Sequence, residues 1–172
     1  MAGPFVVATG ELSRHPGTRR RVTRTGRLRG VGLSTSRLTD DDVVVDVTLE
    51  GQGTTLTATG TVTGRWSGEC RRCLEATGGD LVVELHEVFT PDPVEGETYE
   101  LGRDHVDLEP AVREAVALAL PLAPLCDEAC AGPDPEGHPV VADAGDADDD
   151  AGDDGEPVDH RWAALDALRF DA

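Results

Sequence analysis

Lysine is absent from this chain, and all 15 of its basic residues are arginines, a bias typical of GC-rich bacterial genomes. Long apolar runs are also absent, and no basic segment followed by an apolar one opens the sequence. The lack of apolar runs excludes a membrane-spanning helix, and the lack of such a leader argues against secretion. We therefore expect a soluble cytoplasmic protein whose 172 residues suit one domain with tails.

Recognised catalytic signatures are missing too. The chain has no Gly-x-Gly-x-x-Gly, no phosphate-binding loop, no His-Glu-x-x-His and no Gly-x-Ser-x-Gly. Its Asp-rich stretch near the C-terminus lacks the glycine and glutamate spacing of a calcium loop. The sequence therefore favours a non-enzymatic protein.

Acidic residues outnumber basic ones by 34 to 15, but the resulting charge is unevenly distributed. Residues 1–37 hold eight arginines and one acid, a net charge of +7. Residues 38–130 have a net charge of −15, and residues 131–160 have a net charge of −11. Because nucleic acid is bound through clustered basic side chains, the acidic body does not attract it and the basic N-terminal region suits it better.

The N-terminal arm, residues 14–29, starts next to a Pro16-Gly17 turn signal and shows no helical spacing. Two interpretations stay open for this arm. One is a solvated basic loop that offsets the acidic body. The other is a flexible arm that contacts phosphate, because arginine forks suit phosphate oxygens. The arginines in question are Arg14, Arg19, Arg20, Arg21 and Arg24.

Alternating apolar and polar residues predict a β-rich domain. Residues 43–50 and 54–63 are predicted to form a hairpin around a glycine-containing turn. Residues 80–89 predict a further strand, and residues 5–12 and 98–101 predict short ones. The expected fold class is α+β: a mostly antiparallel β-sheet or partial barrel with one central helix.

That helix is predicted over residues 108–120. Asp107 is placed to cap it, Pro110 lies in its first turn, and Pro121 ends it. Leu108, Val112, Ala115, Val116 and Ala119 fall on one face of the predicted helix.

The C-terminal part of the chain is predicted to differ from the body. Residues 131–157 are acidic with almost nothing to bury, which predicts a disordered linker. Residues 158–172 predict an amphipathic helix with Trp162 and Leu165 on its apolar side, docked on its own domain or on a partner. We therefore expect the α+β domain to span residues 1–130.

The four cysteines form two close pairs, Cys70-x-x-Cys73 and Cys126-x-x-x-Cys130. The first pair is predicted on a tight turn between two strands, and the second follows the predicted helix. Disulfides are rare in the cytoplasm, so paired cysteines there are more often metal ligands or redox groups. Structural zinc takes four thiolate or imidazole ligands, and two close pairs supply them.

Other interpretations of the cysteines remain open at this point. One is four reduced thiols that only pack against one another. Another is a redox role, in which Arg71 and Arg72 lower the pKa of a neighbouring thiol. No βαβ pattern precedes the first pair, which argues against a thioredoxin-like site. His138 is a spare candidate ligand.

Several segments taken together resemble the YceD family of large ribosomal RNA subunit accumulation proteins. They are the run Gly68-Glu69-Cys70-Arg71-Arg72-Cys73-Leu74-Glu75, the strand ending at Val88-Phe89, the stretch from Asp107 to Cys126, and the stretch from Asp159 to Leu165. Many family members carry another cysteine pair further on, where residues 131–137 here have none. The count of four favours one site that joins Cys70 and Cys73 to Cys126 and Cys130.

The resemblance implies a non-enzymatic factor needed for the accumulation or processing of 23S rRNA and for assembly of the large ribosomal subunit. The expected partner is 23S rRNA or a precursor particle, contacted by the N-terminal arm and by Arg71 and Arg72 at the rigid tip. The alternative is an acidic adaptor that binds a basic ribosomal protein and never touches RNA.

Overall fold

A computed structural model describes residues 3–15, 17–134 and 136–137. The predicted C-terminal helix, most of the predicted linker, and His138 lie outside the described residues. None of the helices that the structure describes is long and apolar enough to cross a bilayer.

Seven strands and two helices make up the described part of the chain. In order they are β1 Val6–Ala8, α1 Gly10–Arg14, β2 Arg19–Arg27, β3 Ser36–Gln52, β4 Thr55–Glu69, β5 Ala76–Thr90, β6 Tyr99–Glu100, β7 His105–Asp107 and α2 Glu109–Ala119.

The strands form two sheets. The larger has the order β2-β3-β4-β5-β6, with every pair antiparallel except β5 and β6, and the smaller pairs β1 with β7. This arrangement confirms the predicted α+β class with a mostly antiparallel sheet. The larger sheet does not close into a barrel within the described residues.

The predicted hairpin is confirmed and is longer than the alternation indicated. β3 and β4 pair from Gln52 opposite Thr55, through Val45 opposite Val62, to Ser36 opposite Gly68. Gly53, in the turn, has a φ of 68°, a conformation that glycine adopts without steric cost. The predicted strand over residues 80–89 is likewise present as the longer β5.

One face of the large sheet is buried beneath α2 and the small sheet. Along β3 the alternation of buried and exposed residues follows the pleat. The buried side chains include Val43, Val45, Val47, Leu49, Val62, Leu85 and Phe89 from the large sheet, Val7 and Val106 from the small one, and Ala111, Val112 and Val116 from α2.

Helix α2 starts and ends one residue inside the predicted range. The N-cap residue is Leu108, which makes no side-chain capping bond, so Asp107 is not at the predicted N-cap position. From one residue earlier, the Asp107 side chain accepts a hydrogen bond from the backbone N–H of Glu109 at 3.0 Å. Glu109 and Arg113 form the i,i+4 ion pair at 2.8 Å. Ala119 is exposed, in contrast to the predicted face.

The N-terminal region differs from the prediction in two ways. The short strand predicted over residues 5–12 ends at Ala8, and the chain then enters helix α1. The N-terminal arm was expected to be a loop or a flexible segment, and that was wrong, because Arg19–Arg27 forms strand β2 at the edge of the large sheet. Burial of Val22 and pairing with β3 over nine residues hold this strand in place.

Candidate metal centre and arginine-bearing surface

The first cysteine pair lies on the turn between β4 and β5, which we call the knuckle (residues 70–75). Two backbone hydrogen bonds of 2.8 Å close it: Cys70 N–H donates to the Glu75 carbonyl, and Leu74 N–H donates to the Cys70 carbonyl. Leu74 has a φ of 64°, in the left-handed region. The knuckle therefore holds Cys70 and Cys73 on a short, hydrogen-bonded turn, as the spacing predicted.

The second pair is delivered by the extended segment after α2. The Ser36 hydroxyl donates to the Pro121 carbonyl at 2.8 Å, and Arg71 N–H donates to the Pro124 carbonyl at 2.9 Å. These bonds fasten the segment to β3 and to the knuckle. These two hydrogen bonds position the segment so that Cys126 lies beside the first cysteine pair.

The four thiols meet in one group, the cysteine cluster. The Sγ–Sγ distance is 3.9 Å between Cys70 and Cys130 and 3.7 Å between Cys73 and Cys126. All four sulfur atoms lie within 4.8 Å of one another. A tetrahedral site with Zn–S bonds of about 2.3 Å has S–S edges of about 3.8 Å. The donor set and its spacing therefore fit a tetrahedral metal ion such as zinc.

The local environment perturbs these thiols in opposite directions. Hydrogen bonding from the backbone of Cys73, and then of Cys126, lowers the pKa of Cys70 to about 6. The neighbouring thiols, Cys130 first, raise the pKa of Cys126 to about 12. Four thiolates so close together repel one another, and a bound dication would remove that penalty.

Arg72 binds the second cysteine loop. Its Nη1 donates to the Glu128 carbonyl at 2.8 Å and to the Cys130 carbonyl at 2.9 Å. The sequence indicated a nucleic-acid contact for this residue and gave no sign of this bridging position, because the two carbonyls lie more than fifty residues away along the chain. Arg71 is exposed and takes part in no ion pair among the residues that the structure describes.

Strand β2 presents its arginines on both faces of the sheet. On the outer face, Arg19 pairs with Glu50 at 2.8 Å, and Arg21 forms two bonds to Asp46 at 2.6 and 2.9 Å. The hydrogen bond from Arg21 is the main cause of the lowered pKa of Asp46. Each of these two arginines therefore already has a carboxylate partner.

Arg20 and Arg24 share the opposite face of β2 with Val22. Their guanidinium groups donate to backbone carbonyls, Arg20 to Ala8 at 3.3 Å and Arg24 to Thr23 at 3.0 Å. Arg14 lies in the last turn of α1. None of these three arginines has a carboxylate partner in the described part of the chain.

A family model, "Large ribosomal RNA subunit accumulation protein YceD", matches residues 58–169 of the chain. The protein belongs to the YceD family. The matched region holds all four members of the cysteine cluster, together with Arg71 and Arg72, whereas the arginines of α1 and β2 lie before it. The resemblance seen in the sequence is thereby confirmed.

Similar proteins occur in mycobacteria. Uncharacterized proteins of Mycobacterium bovis and of two strains of Mycobacterium tuberculosis are 34% identical to this YceD protein over 180 residues, covering 96% of this chain and 81% of theirs. An uncharacterized protein of Mycobacterium leprae is 33% identical over 95 residues, covering 51% of this chain and 44% of its own. No solved structure gives a significant match.

Proposed function

We propose that this protein is a non-enzymatic cytoplasmic factor that supports accumulation or processing of 23S rRNA and assembly of the large ribosomal subunit. The single observation that supports the proposal is the match of residues 58–169 to the family described as "Large ribosomal RNA subunit accumulation protein YceD". The cysteine cluster places four sulfur atoms at a spacing that suits a metal ion, and such a site would stabilise the fold.

The proposed role of zinc is to clasp two distant parts of the chain. The ion would be held by Cys70 and Cys73 on the knuckle and by Cys126 and Cys130 on the segment after α2. It would supply positive charge that keeps all four thiols ionised. Arg72 would support the same clasp, since it already binds the carbonyls of the second loop.

The proposed RNA contact uses arginines that have no carboxylate partner in the part of the chain that the structure describes. Arg20 and Arg24 lie on the edge strand of the large sheet and bind no carboxylate within the described ranges, and Arg14 and Arg71 are exposed. Arg19 and Arg21 are weaker candidates than the sequence indicated, because phosphate would have to compete with Glu50 and Asp46. Phosphate is bound most readily by a guanidinium group that does not already bind a carboxylate, which favours the first group.

We expect the double variant Arg20→Ala, Arg24→Ala to bind a 23S rRNA transcript more weakly than wild type. Each lost phosphate contact should also reduce the slope of log affinity against log salt concentration by about 1. Filter binding at a series of salt concentrations measures both quantities. Arg27→Ala is the matched control, because Arg27 lies on the same strand but is paired with Asp42 at 3.2 Å. Equal affinities and slopes for the double variant and wild type would contradict this RNA contact.

A second candidate function is supported by the charge of the body. Residues 38–130 carry 20 acids and five arginines, a net charge of −15. Such a surface suits an adaptor that binds a basic ribosomal protein without touching RNA. This candidate predicts salt-sensitive binding of basic large-subunit proteins together with no affinity of the purified protein for 23S rRNA.

A further inference from the structure

Leu74 occupies an unusual backbone position in the knuckle. Its φ is 64°, and the other non-glycine residues with positive φ in the described part of the chain are Asp40 and Asp41. Aspartate tolerates the left-handed region better than a bulky apolar residue does. Leu74 is therefore an apolar side chain at a point where glycine would fit with less strain.

The fold does not explain this choice of residue. The Leu74 side chain is 70% exposed, so it contributes little to the core. The bonds that close the turn use its backbone N–H, which glycine also has. A strained residue that adds little to stability points to a role for the side chain outside its own fold.

The charges around Leu74 favour one kind of partner. Four exposed carboxylates belong to the knuckle region and to the second cysteine loop: Glu69, Glu75, Asp127 and Glu128. Two arginines oppose them, Arg71 and Arg72, and Arg72 is bound to carbonyls of that loop. Four thiolates around a dication would add further negative charge. The tip therefore carries more acidic than basic side chains and has an apolar side chain at its surface, which suits a basic protein.

The knuckle also holds Leu74 rigidly. Hydrogen bonds at 2.8 Å fix both the start and the end of the turn, and Arg71 N–H ties it to the Pro124 carbonyl at 2.9 Å. A side chain presented by a rigid turn loses little freedom on binding. Such pre-organised apolar side chains act as anchors when they enter a pocket on a partner.

We propose that Leu74 is the anchor of a protein-docking tip that inserts into an apolar pocket on a basic protein. The carboxylates of Glu69, Glu75, Asp127 and Glu128 meet the basic rim of that pocket. The inference rests on the proposed role in large-subunit assembly, since that particle supplies the basic partner.

The test compares Leu74→Gly and Leu74→Ala with wild type. The immobilised full chain is offered the RNA-free proteins extracted from purified large ribosomal subunits. The retained protein is identified by mass spectrometry, purified, and titrated against each variant. Leu118→Ala is the matched control, because Leu118 on α2 is a leucine with an exposure of 80%.

We expect both Leu74 variants to bind the retained basic protein about tenfold more weakly than wild type. Leu118→Ala should bind like wild type. Leu74→Gly should unfold at the same temperature as wild type or a higher one, because glycine relieves the backbone strain.

Three results would overturn the inference. The first is that the wild-type chain retains no basic protein. The second is that both Leu74 variants bind the retained protein as tightly as wild type. The third is a fall in the unfolding temperature of Leu74→Gly, which would show that the Leu74 side chain stabilises the fold. Loss of affinity for a 23S rRNA transcript in the Leu74 variants, with protein binding unchanged, would assign the tip to RNA instead. The role in 23S rRNA accumulation is measured separately by depletion, so either idea can fail alone.

Discussion

Cys70 is the most enclosed member of the cysteine cluster, since its side chain is fully buried while Cys126 is exposed. The buried Cys70 thiol belongs to the knuckle and lies 3.9 Å from the thiol of Cys130 on the second cysteine loop, so it joins the two halves of the proposed metal site. Its backbone hydrogen bonds favour the thiolate, the form that binds metal. Cys70 is therefore the residue at which the metal hypothesis is tested most sharply.

We expect purified wild-type protein to contain about one zinc ion per chain and Cys70→Ser to contain little or none. Loss of the ion should lower the free energy of unfolding by about 4 kcal/mol, because binding energy in such sites is folding energy. Elemental analysis and denaturant unfolding measure the two quantities. Arg71→Ala should keep its zinc, since only the backbone of Arg71 takes part in the site. Wild-type protein free of zinc and other metals would rule the site out.

Part of the candidate metal site could be predicted from the sequence. The two cysteine pairs and the turn beneath the first pair followed from spacing and from the flanking strand patterns. The contact of Arg72 with the second cysteine loop and the positive φ of Leu74 could not be predicted from the sequence. Both depend on the positions of the second loop and of the hydrogen bonds that close the turn. Arg71 and Arg72 look alike in the sequence, but the Arg71 side chain faces solvent whereas the Arg72 side chain binds the second cysteine loop.

Strand β2 could not be predicted from its sequence because its composition lacks the apolar alternation of a strand. Arginine occupies five of its nine positions, on both faces, so apolar alternation is reduced to the single buried Val22. The strand forms because β3 offers backbone partners and places Asp42, Asp46 and Glu50 beside Arg27, Arg21 and Arg19. These partners lie 15 to 31 residues away, beyond any local pattern. By contrast, β3, β4, β5 and α2 were predictable because their periodicity matches their burial.

The Arg21–Asp46 pair predicts a pH effect on the contact between β2 and β3. The pKa of Asp46 is lowered mainly by the hydrogen bond from Arg21, so it should lie below the usual value of about 3.9. The pair then contributes stability above the unfolded-state pKa, and that contribution is lost as pH falls through the lower folded-state pKa. Carboxyl titration by NMR checks the value.

The matched variants for this titration are Arg21→Ala and Arg27→Ala. Arg21→Ala should return the pKa of Asp46 toward its usual value. Arg27→Ala should leave it unchanged, because Arg27 pairs with Asp42 instead. An Asp46 pKa that does not respond to loss of Arg21 would show that the pair is absent in solution.

At the scale of the whole molecule, the large sheet carries two candidate binding surfaces. The β2 edge bears Arg20 and Arg24, which have no carboxylate partner among the described residues, and the knuckle between β4 and β5 bears an exposed leucine near carboxylates. One surface suits phosphate and the other suits a basic protein. A factor that acts on a precursor ribosomal particle meets both kinds of surface, which is consistent with the proposed function.

Depletion of the protein in the organism that encodes it tests the central claim most directly. The measured quantity is the ratio of 23S to 16S rRNA, with the large-subunit peak in a sucrose gradient as a second readout. We predict that the ratio and the peak fall on depletion and return when the wild-type chain is supplied again. An unchanged ratio and an unchanged peak after complete depletion would contradict a role in large-subunit rRNA accumulation.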